Sequence, residues 1–428
     1  PLAQLFRAED LREYIIRFFT RLKVSEEHAR IAADVLISAD LRGVSSHGII
    51  RLHSYYGSRI LKGLIDPASP FQTVRETPTT LLVDGGNGLG MVVGYHTMQR
   101  VIQKARESGV ALASVRNSNH YGIAGYYAMM ALPHDMIGIS FTNAQPLVAP
   151  TYGRTRVLGT NPIAVAAPAL NERPYVLDMA TSIVPIGKIT VYDKAGEKIP
   201  EGWGIDQNGH VTTDPKAVLQ GGALLPLGGT DLMRGYKGYG LALWVDIFSG
   251  VLSGAATGPL VGSVGKDQPA NVGHFFAAIR IDAFRDPQEF KTDLDRLIQT
   301  LKNAPKAEGQ ERIYIHGEKE FELEALNRKR GIPLLVEVVK GLREAGEQVG
   351  VPFDLEVLGE SLASRRIEVQ SPHPVHLLME EHKAILDSLN ALSAVLERLG
   401  SRGSFDEAGE EVSELSMLAR RLLEAESH

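Results

Sequence analysis

The sequence predicts an α/β fold, a mixed sheet with flanking helices, followed by a C-terminal helical hairpin. Three observations carry this expectation. Short apolar runs of strand length alternate with stretches of helical periodicity, glycine, proline and asparagine bound most of the runs, and the composition changes near residue 360.

The chain reads as helical at its start, where Leu11, Tyr14, Ile15 and Phe18 recur at helical spacing, followed by His28, Ile31, Ala32 and Val35. Residues 80–84 (TLLVD) read as a strand, with a glycine cluster after it at Gly85, Gly86, Gly88 and Gly90. Tyr95 to Ser108 reads as a helix ended by Gly109, and VALASV as the next strand. Further strands are expected in MIGISFTNA, PIAVAAPA and YVLDMA. The run KGYGLALWVDIFSGVLSG reads as a buried helix of small residues, and 305–312 (PKAEGQER) as a polar connector. LNRKRGIPLLVEVVKGLREAGEQVG reads as one amphipathic helix. The expected organisation is a main body over 1–355, a linker over 356–371 and a hairpin over 372–428. In the hairpin, Ile385, Leu389, Leu392, Leu396 and Leu399 form one stripe, and Phe405, Val412, Leu415 and Leu422 the other. Gly400 and Gly403 join the two helices, and Ser404 with Glu407 makes a capping box for the second.

Bulk properties narrow the function. With 428 residues, two or three domains are expected. An apolar content of 44% and no apolar run near the roughly 20 residues of a bilayer span predict a soluble protein without a membrane partner. The start, PLAQLFRAED, has no signal-peptide apolar region. A net charge of -6 argues against nucleic acid as a partner. The absence of cysteine removes disulfides, thiolate nucleophiles and cysteine-ligated zinc, and suits a cytoplasmic protein. No HExxH, EF-hand loop or Walker A sequence is present, so no metal is expected in the main body.

A strand, a glycine cluster and a helix in that order invite a Rossmann reading. The approximation Gly88-Leu-Gly90-Met-Val-Val-Gly94 displaces the third glycine by one, however, and the next strand reaches Arg116 where an acidic residue would hold a ribose. Plain tight-turn glycines explain the cluster as well, so a non-Rossmann fold is expected.

Two clusters carry candidate chemistry. In Ser45-Ser46-His47-Gly48-Ile49-Ile50-Arg51, a serine cap would place His47 in a first helical turn, with Arg51 on the same face. A histidine can exchange a proton with a carbonyl oxygen, and the planar fork of an arginine can grip a carboxylate. A surface histidine beside an unrelated arginine is the alternative. Asn117-Ser118-Asn119-His120-Tyr121-Gly122 follows a strand directly, and His120 could be an acid/base group, a substrate contact or a structural hydrogen-bonder. Asp178 could orient a catalytic histidine or cap the next helix. Lys237, among glycines in Gly235–Gly240, could meet a cofactor phosphate or simply be solvated.

Together these segments resemble the malate/L-lactate dehydrogenase type 2 family, which includes malate, sulfolactate and ureidoglycolate dehydrogenases and diketogulonate reductase. Eight motifs appear in family order across roughly residues 5–350: SHGIIR, DGGNGLG, NSNHYG, LGTNPIA, LDMATS, IPEGW, TTDP and KGYGLAL. The resemblance implies a homodimer with a non-Rossmann NAD(P)-binding fold and an active site near the dimer interface. It implies that residues 1–355 form NAD(P)-binding and substrate lobes. It implies His47 as proton donor and acceptor, His120 and Asp178 as further catalytic residues, and Arg51 as the holder of the substrate carboxylate, with Ser46 and His120 also at the substrate. The cofactor, NAD or NADP, would lie against Thr160, Asn161, Asp178, Met179, Ala180, Thr181, Ser182, Lys237, Gly238, His316, Gly317 and Glu318. His316 departs from the family, which commonly has proline there. The implied reaction moves a hydride between NAD(P) and a small 2-hydroxy or 2-keto acid, malate/oxaloacetate or lactate-like. The run FTNAQPLVAPTYGRTRVLGTNPIAVAAPA is most similar to malate-specific members, whose second carboxylate would need a second cation such as Arg154 or Arg156. An NADPH-dependent imino-acid or diketo-acid reductase on the same fold is the alternative.

The run HPVHLLMEEHKAILDSL resembles the opening of a hemerythrin-like (HHE) cation-binding domain, with His373, His376, Glu380, Glu381 and His382 as possible ligands. Such a site draws on four helices, and only two are present, so no intact iron site is expected. A metal- or oxygen-sensing role through this tail is the reading from another class.

Overall fold

The computed structural model describes residues 2–263 and 265–362. The expected hairpin over 372–428, its capping box and the five possible metal ligands lie outside the described residues.

The helical periodicity near the start turns inward as expected. A strand β1 (Leu2–Phe6) precedes α1 (Ala8–Arg21), which buries Leu11, Tyr14, Ile15 and Phe18, and α2 (Glu26–Leu41), which buries Ile31, Ala32 and Val35. Ser25 caps α2 by accepting from His28 N–H at 3.3 Å. A π-helical stretch over Leu52–Gly57 leads into α3 (Ser58–Leu61). Next come β2 (Gln72–Glu76), β3 (Thr80–Asp84), α4 (Gly90–Ser108), β4 (Val110–Ser118), α5 (Ala124–Met129), β5 (Met136–Thr142), β6 (Ile163–Ala167) and β7 (Tyr175–Met179). Residues 186–224 hold α6 (Ile186–Ala195), β8 (Gly204–Ile205), β9 (Val211–Thr212), α7 (Pro215–Leu219) and β10 (Ala223–Leu224). The remainder comprises α8 (Tyr236–Asp246), β11 (Val272–Arg280), α9 (Pro287–Lys302), α10 (Glu318–Arg330), β12 (Ile332–Leu335), α11 (Val336–Val349) and β13 (Gly359–Leu362).

The main sheet has seven strands in the order β2-β3-β4-β11-β5-β6-β7. Only β3 and β4 run parallel, joined by α4, and the other neighbours are antiparallel, so the sheet is mixed as the sequence predicts. The largest apolar core packs α1, α2 and α4 with β3 and β4. In the glycine cluster before α4, a Cβ on Gly90 would lie 2.0 Å from the Asn119 carbonyl oxygen, so glycine here serves the close approach of the Asn119–His120 segment to the helix start.

Three expectations are corrected. The run Leu326–Gly350 is not one helix. Gly331 takes φ 101°, a conformation that favours glycine, and β12 follows before α11 begins. Long-range pairing overrides helical periodicity here, because Ile332 pairs with Phe6 and Leu335 with Ala3 of β1. Within the expected linker over 356–371, β13 pairs with the other edge of β1, Leu2 opposite Leu362. Finally, α8 and the π-helical turn Ile247–Val251 that continues it are not buried along their length. Leu243, Trp244, Ile247, Val251 and Leu252 are exposed, Val251 at 65%. No helix among the described residues is long and apolar enough to cross a membrane.

Candidate active site

The chain turns back on itself at the end of α2, and Ser45–His47 forms a single 3-10 turn. The expected serine cap is absent, and Gly48, with ψ -148°, breaks the helical path between His47 and Arg51. The two residues are nevertheless brought close by a different device. Arg51 Nε donates to the Ser46 carbonyl at 2.8 Å, folding the arginine back over the turn. The Arg51 terminal nitrogens have no acceptor among the described residues, which leaves the fork available. Asp40, buried on α2, accepts from Ile49 N–H at 2.7 Å and pins the turn from below.

His120 arrives from the loop after β4. Buried Asn119 anchors that loop by donating to the carbonyl of Gly88 at 2.8 Å and to the Asn87 side chain at 3.1 Å. The His47 and His120 rings stack with centroids 5.3 Å apart and planes inclined by 28°. Burial first, then Arg51, pushes the His47 imidazole down to about 4. His120 is also pushed well below the ordinary histidine range, mainly by burial, then by His47, Arg51 and His274. Both rings are therefore neutral in the free site at pH 7. His47 Nδ1 lies 2.9 Å from Ser46 Oγ, and His120 Nδ1 lies 2.8 Å from the Tyr56 hydroxyl.

The structure thus gathers Ser46, His47, Arg51 and His120. It gives Asp178 another role. Asp178 Oδ2 accepts from Gly125 N–H at 2.7 Å, which caps the start of α5 across space, and no hydrogen bond links it to a histidine among the described residues. Its side chain reaches water but is packed around by protein, which pushes its carboxyl up to about 6. The cap is not the one expected for the next helix, since the helix it caps precedes it in the chain.

The expected cofactor residues divide in two. Several hold one another in place. Asn161 accepts from Ala144 N–H and donates to the Ala242 carbonyl at 3.0 Å, Thr181 Oγ1 donates to the Asn161 carbonyl, and Ser182 donates to Val184. Glu318 is buried between Lys302 at 2.7 Å and Arg312 at 3.3 Å and accepts from Ile315 N–H, which uses its carboxylate internally. Gly238 is required because a Cβ there would meet the Leu227 carbonyl oxygen at 2.2 Å. The His316 carbonyl accepts from Val176 N–H beside Gly317, which puts this segment against β7. The Lys237 amine and the Thr160 hydroxyl have no hydrogen-bond partner among the described residues, the exposed His316 ring packs edge-on against Tyr175 at 5.8 Å, and Met179 and Ala180 are half-buried. A cation, a hydroxyl and an apolar edge are a donor set that fits a dinucleotide. Of the two arginines considered for a second carboxylate, Arg156 is engaged with the carbonyls of Val218, Leu219 and Gly222, while Arg154 is exposed.

Four residues of the site escaped the sequence reading. Tyr55 and Tyr56 sit in the π-helical stretch and enclose His120, and Asp40 supports the His47 turn. The two tyrosines look like core packing in the sequence, and Asp40 is a single acidic residue near the end of a helix. His274 on β11 is the fourth. Fully buried, it lies 2.8 Å from both Ser118 Oγ and Thr142 Oγ1, and stacks on Tyr121 at 4.5 Å, beneath the His120 loop.

A model of the malate/L-lactate dehydrogenase family matches residues 6–343. A malate dehydrogenase of Pyrococcus abyssi is 50% identical over 344 residues, covering 80% of this chain and 94% of that protein. A malate/(S)-sulfolactate dehydrogenase of Methanothermus fervidus is 40% identical over 344 residues, covering 80% of this chain and 97% of its own. The structure of malate dehydrogenase from Pyrococcus horikoshii superposes with a TM-score of 0.76 at 46% identity, covering 82% of this chain and 96% of that one.

Proposed function

Because the chain belongs to the malate/L-lactate dehydrogenase family and is a malate-like 2-hydroxy acid dehydrogenase with a nicotinamide cofactor, we propose that it interconverts malate and oxaloacetate at the cluster of His47, Arg51 and His120. The observation that carries this reading is the stacked histidine pair beside an arginine with free terminal nitrogens.

The nicotinamide, NAD or NADP, supplies or accepts the hydride when bound. Lys237, Thr160 and the His316 ring would hold it, together with Met179 and Ala180. The Arg51 fork grips the carboxylate next to the reacting carbon, which fixes that carbon against the histidines. In alcohol oxidation a neutral imidazole is ready to take the hydroxyl proton. In reduction the imidazole must first be protonated, and a bound carboxylate opposite Arg51 favours that by offsetting the cation that holds His47 down. Arg154 is the remaining candidate for the second carboxylate of malate.

We assign this function to a homodimer in the cytoplasm. Support for the dimer is the exposed apolar face of Leu243, Trp244, Ile247, Val251 and Leu252, which a second copy would cover. Sedimentation should give a dimer for the native chain and monomer for Ile247→Asp; a native monomer would sink this assignment.

The function is tested by nicotinamide absorbance with NAD or NADP and a panel of malate, lactate, sulfolactate and ureidoglycolate, with imino and diketo acids in the reverse direction. Malate turnover well above the others is the expected result. Preference for an imino or diketo acid would move the chain to the reductase reading. Arg51→Lys should raise KM for malate about 10-fold or more with a smaller loss in kcat, because an ammonium cannot reproduce a bidentate grip. An unaltered KM would place the carboxylate elsewhere.

A further inference from the structure

We infer that His120 serves as a neutral hydrogen-bond donor to the reacting oxygen, locked in its Nε2–H form by Tyr56, and that His47 alone carries the proton. This division of labour rests on the dehydrogenase reading above.

The argument begins at His120 Nδ1. Gly122 N–H approaches it at 3.3 Å, and the Tyr56 hydroxyl at 2.8 Å. A backbone N–H can only donate, so Nδ1 must offer its lone pair, and the Tyr56 hydroxyl must donate as well. The single hydrogen of a neutral imidazole then sits on Nε2. Tyr56 is 0% exposed and cannot turn to water for another partner. The groups facing His120 are Tyr55, Tyr56, His47, Arg51 and His274. None is a carboxylate, so nothing around the ring stabilises a second proton on it.

His47 is in the opposite situation. Its Nδ1 is 2.9 Å from the Ser46 hydroxyl, which can donate to a bare nitrogen or accept from a protonated one by rotating. Its partner is the hydroxyl of exposed Ser46, whereas His120 Nδ1 meets buried Tyr56 and a backbone N–H. His47 therefore keeps its partner through a change of charge, and His120 does not. The stacked arrangement adds a second reason, because two imidazolium rings with centroids 5.3 Å apart would repel each other.

In reduction, the carbonyl carbon receives the hydride and the oxygen takes the proton from His47, which becomes neutral. The His120 Nε2–H stays bonded to its nitrogen throughout and steadies the charge that develops on the oxygen, as a preorganised donor does. Oxidation reverses both transfers. Tyr56 is then a positioning residue, since it acts only through His120.

The test contrasts substitutions that keep a donor with those that keep a proton carrier. The glutamine amide can place an N–H near the position of Nε2 but cannot shuttle a proton. Turnover of His120→Gln should stay within about 10-fold of the native enzyme, while His120→Leu should lose about 10²–10³-fold. The pH limb of kcat should persist in His120→Gln. His47→Gln should be as poor as His47→Ala and should lack that limb. A His120→Gln enzyme as poor as His120→Leu, or a His47→Gln enzyme that keeps its turnover, would overturn the proposal. Nitrogen-15 spectra of histidine-labelled protein supply a readout independent of activity. The resonance missing from His120→Gln should show protonation at Nε2 in the native chain and a partial shift toward Nδ1 in Tyr56→Phe, where only the longer Gly122 contact at 3.3 Å still holds the tautomer. Protonation at Nδ1 in the native chain would refute the inference. Because these spectra need no substrate, a native chain inactive on the whole panel would count against the proposed function, and the tautomer would still be decided.

Discussion

Replacing His47 by alanine is expected to lower kcat by about 10²–10⁴-fold while leaving cofactor binding nearly unchanged, since that is the typical contribution of proton transfer by a positioned side chain. The turn that carries His47 contains none of the residues expected at the cofactor, so nicotinamide fluorescence on binding should be preserved. A pH dependence accompanies this effect. Burial and Arg51 hold the imidazole down at about 4, so for oxidation by the free enzyme the base is present above that value and lost as the pH falls through it. Thus kcat/KM for malate oxidation should be level near neutrality and decline only toward pH 4. In His47→Ala the decline should vanish with the activity. Unchanged turnover would transfer the proton to His120, and the tautomer argument for that ring would fall with it.

The parts of this molecule that were legible in its sequence are those written in local patterns. The strand TLLVD, the helix up to Ser108 and the strands at Val110, Met136, Ile163 and Tyr175 each stand where a run of apolar residues meets a glycine, proline or asparagine. His47, Arg51 and His120 were legible because each sits in a polar cluster beside a regular element, where side chains commonly line a crevice. What was not legible depends on partners far away along the chain. The strand Leu2–Phe6 exists because residues more than 300 positions later pair with both of its edges. That pairing also cuts the expected helix at Gly331. The exposure of Trp244 and Ile247 was misread because apolar periodicity reports only that a face is covered, not whether its own chain covers it. Tyr56 and Asp40 acquire their roles from single hydrogen bonds to residues 64 and 9 positions away.

Asp40 also sets the second large effect. Its carboxyl lies 3% exposed behind the His47 turn, and burial pushes it up to about 7 despite the hydrogen bond from Ile49 N–H, which pulls the other way. The sign of the consequence follows from linkage. With a folded value above its ordinary value of 3.8, the group's contribution to stability is complete below that value and is lost as the pH rises through about 7. The full span is worth as much as about 4 kcal/mol at 1.36 kcal/mol per unit. In Asp40→Asn the amide oxygen can still accept from Ile49, but there is no charge to bury. Urea unfolding should therefore show the variant gaining stability relative to the native chain between pH 5 and pH 8, and a difference that stays constant over that range would refute the assignment. The same carboxyl explains Gly48. A Cβ at that position would lie 2.1 Å from Asp40 Oδ1, so Gly48→Ala must displace either the carboxyl or the turn. Overpacking of this kind costs about 1–3 kcal/mol, and here the displaced segment carries both the proton carrier and the carboxylate clamp. Gly48→Ala should consequently lower kcat and raise KM together. Adding Asp40→Ala should restore part of both, because the atom that collides with the new methyl is gone. Losses that simply add would show that the turn is held by contacts other than this one.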